Sequence, residues 1–193
     1  MNFNQHLWLS KSEKKSLEKI IISAVKNNNI NTNNTFIGGF SSGGNVSLLL
    51  SNYLKSTGSE IEPKGLFIAD SPIDLLGLYE KAQKTITKNF SEVAVQEANW
   101  IIETFDSEFG DKDTAFINYK NKSPYLSKTN STNNISKLNN LKIRLYSEPD
   151  TLWWKVNRQD EYEDINSYYI EQLANDLSKL YGVEKVNYIQ TKN

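Results

Sequence analysis

The chain has 193 residues, of which 38% are hydrophobic and 23% charged, and it contains no cysteine. This composition is typical of one globular domain, and it excludes disulfides and cysteine-ligated metals. The net charge is −1 and neither sign is clustered, so no basic surface indicates nucleic acid. No apolar run approaches the roughly 20 residues of a membrane span, and the N-terminus shows no signal peptide, so we expect a cytoplasmic protein.

The first half of the chain predicts a helix, a strand and a second helix. Ser10 and Glu13 have the spacing of a capping box, which indicates the start of a helix. Thr35 to Phe40 predicts a short buried strand, because apolar residues run into glycines. Apolar residues cover most of the segment from Gly43 to Lys55, which predicts a buried helix that ends before Gly58.

The second half continues the alternation. Residues 65–69 form another continuous apolar run, and Ser71-Pro72 after it predicts the cap and first turn of a helix reaching Lys88. Ser91 predicts the start of a further helix, whereas residues 106–140 are polar and indicate loops. Three more elements follow: a strand at 141–146, a helix at 164–181 and a strand at 186–189.

Strands that alternate with helices predict an α/β fold with a mostly parallel sheet flanked by helices. Functional sites of such sheets lie at the carboxyl ends of the strands. Three loops are therefore candidates: residues 39–43, 70–72 and 147–150.

The first of these loops carries a chemical motif. Gly39-Phe40-Ser41-Ser42-Gly43 matches G-x-S-x-G between a predicted strand and a predicted helix, a context in which the turn lifts the serine hydroxyl above the sheet. Ser41 is then the candidate nucleophile, and the N–H of Ser42 at the helix start is a candidate oxyanion donor. A glycine-rich turn with incidental serines is the alternative. A phosphate-binding loop is excluded, because no lysine follows Gly44.

Residues 36–45 resemble the nucleophile elbow of the α/β-hydrolases, and the order of elements after them resembles the second half of that fold. The resemblance spans Ser10 to Ile189. It implies a serine hydrolase that acts on a small-molecule ester or related acyl substrate and needs no cofactor and no metal. It also implies that residues 75–140 are a helical, lid-like insertion. Residues 1–193 would then be a single domain with a partial α/β-hydrolase fold, incomplete at both ends.

The same resemblance implies an acid after the strand at 141–146, and Asp150 is our candidate, with Glu148 and Asp70 as alternatives. A histidine is implied after the last strand, but residues 190–193 contain none. The one histidine of the chain is His6, before the first helix, where a surface position is expected. We therefore expect impaired activity, and the alternative is a non-catalytic, hydrolase-like binding or scaffold protein.

Aromatic residues offer a possible acyl pocket. Those of the inserted segment include Trp100, Phe105, Phe109, Phe116 and Tyr125. Trp153 and Trp154 follow the acidic loop and would either line a pocket or pack in the core. An unpaired strand edge beside Phe36 would be an aggregation liability.

Overall fold

A computed structural model describes residues 6–111 and 114–191. Residues 1–5, part of the segment in which no signal peptide was recognised, and residues 192–193, two of the four in which a histidine was sought, lie outside the described residues. The protein has an α/β fold, as predicted, with four strands that pair in parallel in the order β1-β2-β3-β4. The strands are β1 (Phe36–Phe40), β2 (Gly65–Ala69), β3 (Lys142–Ser147) and β4 (Val186–Gln190).

Seven α-helices connect and flank these strands in the described part of the chain. They are α1 (Lys11–Asn27), α2 (Ser42–Thr57), α3 (Leu75–Lys88), α4 (Glu92–Phe109), α5 (Phe116–Lys122), α6 (Thr151–Arg158) and α7 (Asn166–Tyr181). None of these helices combines the length and the apolar composition that crossing a bilayer requires.

Local signals set several helix ends where the sequence predicted them. Ser10 and Glu13 form the capping box of α1: the Glu13 N–H donates to Ser10 Oγ at 3.2 Å, and the Ser10 N–H donates to Glu13 Oε2 at 2.8 Å. Ser91 caps α4. Gly58 ends α2 in the left-handed region, with φ of 64°, which glycine adopts without steric cost.

The helices differ from the prediction in several places, and α4 extends to Phe109, into the segment for which loops were predicted. The helix α3 begins at Leu75 instead of directly after Ser71-Pro72, because Asp74 is its cap and accepts a hydrogen bond from the Gly77 N–H at 3.0 Å. The other carboxylate oxygen of Asp74 accepts two hydrogen bonds from Ser127, a partner far along the chain. The short helices α5 and α6 form in segments for which the sequence predicted no helix.

The core consists of two apolar clusters on the same side of the sheet. One lies among α1, α2, α3 and α4 and includes Leu17, Leu54 and Phe105. The other lies between the sheet and helices α2 and α7, and includes Ile143 and Leu173. Both clusters fix α2, and therefore fix the corner from which it leaves β1.

The opposite face of the sheet is open over its first two strands. Phe36 and Phe40 of β1 are 62% and 71% exposed, and Phe67 of β2 is 44% exposed. Both faces of an all-parallel sheet are normally covered. In the described part of the chain β1 pairs only with β2, so it is an edge strand, as the sequence indicated.

Candidate functional site

Ser41 lies on the corner between β1 and α2 in a strained backbone conformation. Its φ of 53° and ψ of −128° put a residue with a side chain in a region that such residues rarely adopt, at a cost of about 1–3 kcal/mol. Two hydrogen bonds hold the corner: the Ser41 N–H donates to the Ala69 carbonyl at 2.8 Å, and the Gly44 N–H donates to the Ser41 carbonyl at 2.9 Å. Ser41 is half-buried, and a helix starts directly behind it.

Two glycines make this corner possible. A Cβ on Gly39 would lie 2.2 Å from the carbonyl group of Gly43, and a Cβ on Gly44 would lie 1.9 Å from Ser71 Oγ. A Cβ on Gly43 would meet nothing within 4 Å. The strand can therefore turn back onto the helix only because Gly39 has no side chain. Gly43, the second glycine of the motif, is not required for steric reasons.

The N-terminus of α2 supplies hydrogen-bond donors beside Ser41. Ser42 is the first residue of the helix. The first N–H groups of a helix have no partner within it, and together with the helix dipole they favour an anion. The predicted oxyanion donor, the Ser42 N–H, therefore lies next to the predicted nucleophile.

Asn45 is a positioning residue that the sequence reading missed. It is fully buried in the first turns of α2. Its Nδ2 donates to the carbonyls of Leu7 at 3.1 Å and Pro72 at 2.8 Å, so one side chain ties the N-terminal segment and the β2–α3 loop to the corner. The signal available in the sequence was an asparagine within a helix predicted to be buried, because a buried polar side chain requires hydrogen-bond partners.

Ser41 opens into a cavity of about 290 Å³, close to the lower end of small-ligand sites, which span roughly 300–1,000 Å³. The helices α3 and α4, from the predicted insertion, form much of its wall. Its apolar lining comprises Leu7, Pro72, Leu78, Ala82, Phe90, Ala94, Ala98, Trp100, Ile101 and Trp154, and its polar lining comprises Ser41, Lys81, Thr85, Lys88, Ser91, Glu97, Arg158, Asp160 and Asn166.

A buried aspartate pairs with two of the charged side chains that line this cavity. Asp160 is 5% exposed and forms ion pairs with Lys81 at 3.2 Å and Lys88 at 2.9 Å. The Lys81 ammonium also lies 4.7 Å above the ring of Trp154. These contacts join α6 and the loop after it to α3, across about 70 residues of sequence. No short sequence motif indicated these contacts.

The three candidate acids lie in different environments. Asp150 is exposed and caps α6, accepting a hydrogen bond from the Trp153 N–H at 2.9 Å. Glu148, directly after β3, has a buried Oε1 that no described residue contacts by a hydrogen bond. Asp70 follows β2 with a φ of 45°, and its carbonyl accepts a hydrogen bond from Asn166 at 3.2 Å. Their catalytic assignment stays a prediction.

His6 is half-buried, although a surface position was expected. Its ring stacks on Trp8 with 4.8 Å between centroids, and its Nδ1 lies 2.9 Å from Glu13 Oε1. The adjacent residue Leu7 lines the cavity together with Ser41, but His6 is not among the described lining residues. The N-terminal segment therefore reaches the site, without bringing its imidazole into it.

Of the five aromatic residues predicted to line a pocket, one lines the cavity and the others contact the core. Trp100 lines the cavity. Phe105 and Phe109 pack instead with Trp8 and Tyr119 in the core, and the remaining two predicted pocket residues, Phe116 and Tyr125, also contact the core clusters.

The tryptophan pair after the acidic loop is not part of the core. Trp154 lines the cavity, and Trp153 is 45% exposed and contacts Trp154 edge to face at 5.2 Å. The pocket interpretation is thus right for Trp154.

Among residues 6–111 and 114–191, no group of three or more histidine, aspartate or glutamate side chains is arranged to hold a metal ion. The geometry of the site thus consists of a strained serine, a helix N-terminus and a cavity lined by both apolar and charged side chains. Comparison with protein-family models, with curated proteins and with solved structures finds no match to this chain.

Proposed function

We propose that this chain carries a serine acyl-transfer site of the kind that hydrolyses ester or related acyl substrates, with Ser41 as the nucleophile. The observation that carries the proposal is the conformation of Ser41, with φ of 53° and ψ of −128°, at a strand-to-helix corner that opens into a cavity. Strain of this kind in a residue with a side chain clusters at functional sites. The resemblance of residues 36–45 to a nucleophile elbow supports the same chemistry.

The reaction follows from the groups at the corner. Ser41 Oγ adds to the carbonyl carbon of the substrate, and its hydroxyl proton passes to a base. The Ser42 N–H donates to the carbonyl oxygen as negative charge develops on it. The ester C–O bond then breaks, the alcohol leaves with a proton, and water hydrolyses the acyl-serine to the carboxylic acid and free Ser41.

No histidine is among the described residues that line this site, so the general base is unassigned. Serine mechanisms of this type use a histidine, and the one histidine of the sequence, His6, does not line the cavity. Loss of the base costs several orders of magnitude in related enzymes. We therefore expect slow turnover by this chain. The second candidate function is a non-catalytic binding protein with the same cavity. The position of His6 outside the cavity lining favours it.

We assign the acid role to Glu148 in preference to Asp150. The Glu148 Oε1 is buried without a hydrogen bond from any described residue, and such a group is expected to have a partner. The neighbouring Ser147 carbonyl accepts a hydrogen bond from the Thr191 N–H at 2.9 Å, so Glu148 lies beside the point where the chain leaves β4. An imidazole in that position would find an acceptor in Glu148, whereas Asp150 is engaged as a helix cap.

Labelling with a fluorophosphonate probe tests the nucleophile. Ser41 Oγ would displace fluoride from phosphorus, and intact mass with peptide mapping would locate the adduct. We expect the adduct on Ser41, its loss in Ser41→Ala, and its retention in the matched neighbour variant Ser42→Ala, which keeps the backbone N–H. A folded protein that acquires no adduct at Ser41 favours the binding-protein alternative.

Repeating the labelling with added imidazole tests the acid. Imidazole should accelerate the reaction of Ser41, because it supplies the base. We expect Glu148→Gln to lose this acceleration and Asp150→Asn, which keeps the helix cap, to retain it. The reverse result would assign the role to Asp150.

A further inference from the structure

The lining of the cavity at Ser41 combines apolar and positively charged side chains. The apolar side chains include Leu78 of α3 and Ala94 and Ile101 of α4. The cations among the described lining residues are Lys81 and Lys88, also of α3, and Arg158 of α6. A ligand that fills the cavity therefore meets both apolar surface and positive charge.

Both lysines already have carboxylate partners. Both form ion pairs with the buried Asp160, at 3.2 Å and 2.9 Å, and Lys88 also lies 3.6 Å from Asp164. Moving these ammonium groups from Asp160 to a ligand would cost free energy, because it would leave a buried carboxylate unpaired. We therefore assign the lysines a role in holding the wall of the cavity.

Arg158 is the free cation of this site. It is the last residue of α6 and is exposed. Among the residues that the structure describes, no carboxylate pairs with it and no acceptor receives a hydrogen bond from it. A guanidinium presents a planar set of donors that matches a carboxylate with two parallel hydrogen bonds.

Among the described lining residues, one carboxylate forms no ion pair. This is Glu97, which is exposed on α4, whereas Arg158 lies on α6. A ligand carboxylate near Glu97 would be repelled, and one near Arg158 would be attracted. The charges therefore favour one orientation of a charged ligand in the cavity.

We propose that the site binds an acyl substrate with an apolar body and a carboxylate, and that Arg158 binds the carboxylate. This inference rests on the proposed function for its reactive end, because Ser41 and Arg158 line the same cavity. The apolar body contacts α3 and α4, the acyl carbonyl lies at Ser41, and the carboxylate points to the end of α6.

Tryptophan fluorescence measures this binding without any reaction, since Trp100 and Trp154 line the cavity. The two ligands are 4-phenylbutyrate and 4-phenylbutan-1-ol, which share an apolar body and differ in charge. We expect the carboxylate to bind about tenfold more tightly at low salt, with the advantage shrinking as salt is added.

The variants Arg158→Gln, Arg158→Lys and Lys155→Gln assign the effect to one side chain. We expect Arg158→Gln to bind both ligands equally, and Arg158→Lys to keep part of the preference because it keeps the charge. Lys155→Gln is the matched control on α6, since Lys155 pairs with Glu161 at 2.9 Å and does not line the cavity. It should retain the full preference, and circular dichroism checks that each variant is folded.

Three results would overturn the proposal: equal affinity of the native chain for the two ligands, an unchanged preference in folded Arg158→Gln, or no quenching by either ligand at millimolar concentration. Ser41→Ala should keep the preference, because the hydroxyl does not contact the carboxylate. Failure of the serine chemistry would thus leave this result intact, which separates the two proposals.

Discussion

At the corner between β1 and α2, the absence of a side chain at Gly39 leaves room for the backbone to turn. A Cβ on Gly39 would approach the carbonyl group of Gly43 to 2.2 Å, and these backbone atoms cannot rotate away. Gly43 faces open space. The two glycines of one motif therefore have different physical roles.

Alanine at each of these positions should give opposite results. We expect Gly39→Ala to lower the free energy of unfolding by about 1–3 kcal/mol, as overpacking does, and to abolish probe labelling of Ser41. We expect Gly43→Ala to leave stability unchanged or to raise it by up to about 1 kcal/mol, since it lies within a helix. Urea unfolding measures both, and equal destabilisation by the two substitutions would contradict the assigned geometry.

Between elements, buried carboxylates fasten α3 to the segment that precedes α7. Asp164 is 7% exposed and forms ion pairs with Lys84 at 2.6 Å and Lys88 at 3.6 Å. Burial opposes the ionisation of Asp164, but the hydrogen bonds from Lys84 and from the Glu161 backbone N–H, together with the charge of both lysines, outweigh it and hold its pKa below the usual range. The charged carboxylate therefore stabilises the folded protein.

The sign of the pH dependence follows from this lowered pKa. Above about pH 4 the carboxylate is charged in both states and the folded state gains from it; the gain is lost as pH falls through the folded pKa. We expect Asp164→Asn to lower the free energy of unfolding by about 1–2 kcal/mol at pH 7, and by less at pH 3. Thermal unfolding at the two pH values measures the difference.

Glu60→Gln is the matched control for this pair. Glu60 forms an ion pair with Lys26 in which both side chains are more than half exposed, at 62% and 61%. Exposed pairs contribute little, so we expect a change within about 0.5 kcal/mol. A destabilisation by Asp164→Asn that grows towards acid pH would contradict the assignment.

For the molecule as a whole, the open face of the sheet is the largest departure from what its architecture requires. A Cβ on Gly38 would lie 2.2 Å from the ring of Phe67, and a Cβ on Gly65 would lie 2.7 Å from the ring of Phe36. The rings therefore lie flat over glycines, and together with Phe40 they form a shallow apolar surface. Apolar surfaces of this kind mark interaction sites or aggregation liabilities.

This surface should bind an apolar dye. We expect Phe36→Thr combined with Phe40→Thr to lower the fluorescence of 1-anilinonaphthalene-8-sulfonate bound to the native protein by at least about twofold, while circular dichroism stays unchanged, because both rings are exposed. Ile117→Thr removes an exposed apolar side chain from α5, away from the sheet, and should leave the fluorescence unchanged. Equal dye binding by all three proteins would show that the face is not an accessible apolar surface.

Much of the fold can be read along the chain because its signals are local. Apolar runs predict β1 and β2, an alternation of apolar and charged residues predicts β3, and Ser10, Ser91 and Gly58 mark helix ends by interactions within a few residues. The elbow at Ser41 is readable for the same reason, since its glycines and its helix are neighbours in sequence. The start of α3 was missed, because two caps were available in sequence: Asp74 caps the helix through Gly77 in place of Ser71, and its other carboxylate oxygen is held by the distant Ser127.

The character of the cavity depends instead on contacts that no window of sequence contains. Asp160 meets Lys81 and Lys88 across some seventy positions, and Arg158 stands out only because no carboxylate was brought to it in the described structure. The amino-acid order thus specified the strand, the turn and the serine through short-range sterics and hydrogen bonds. Folding alone determined which charges of the cavity lining found a partner and which, such as Arg158, did not, because electrostatic pairing depends on distance in space and not on separation along the chain.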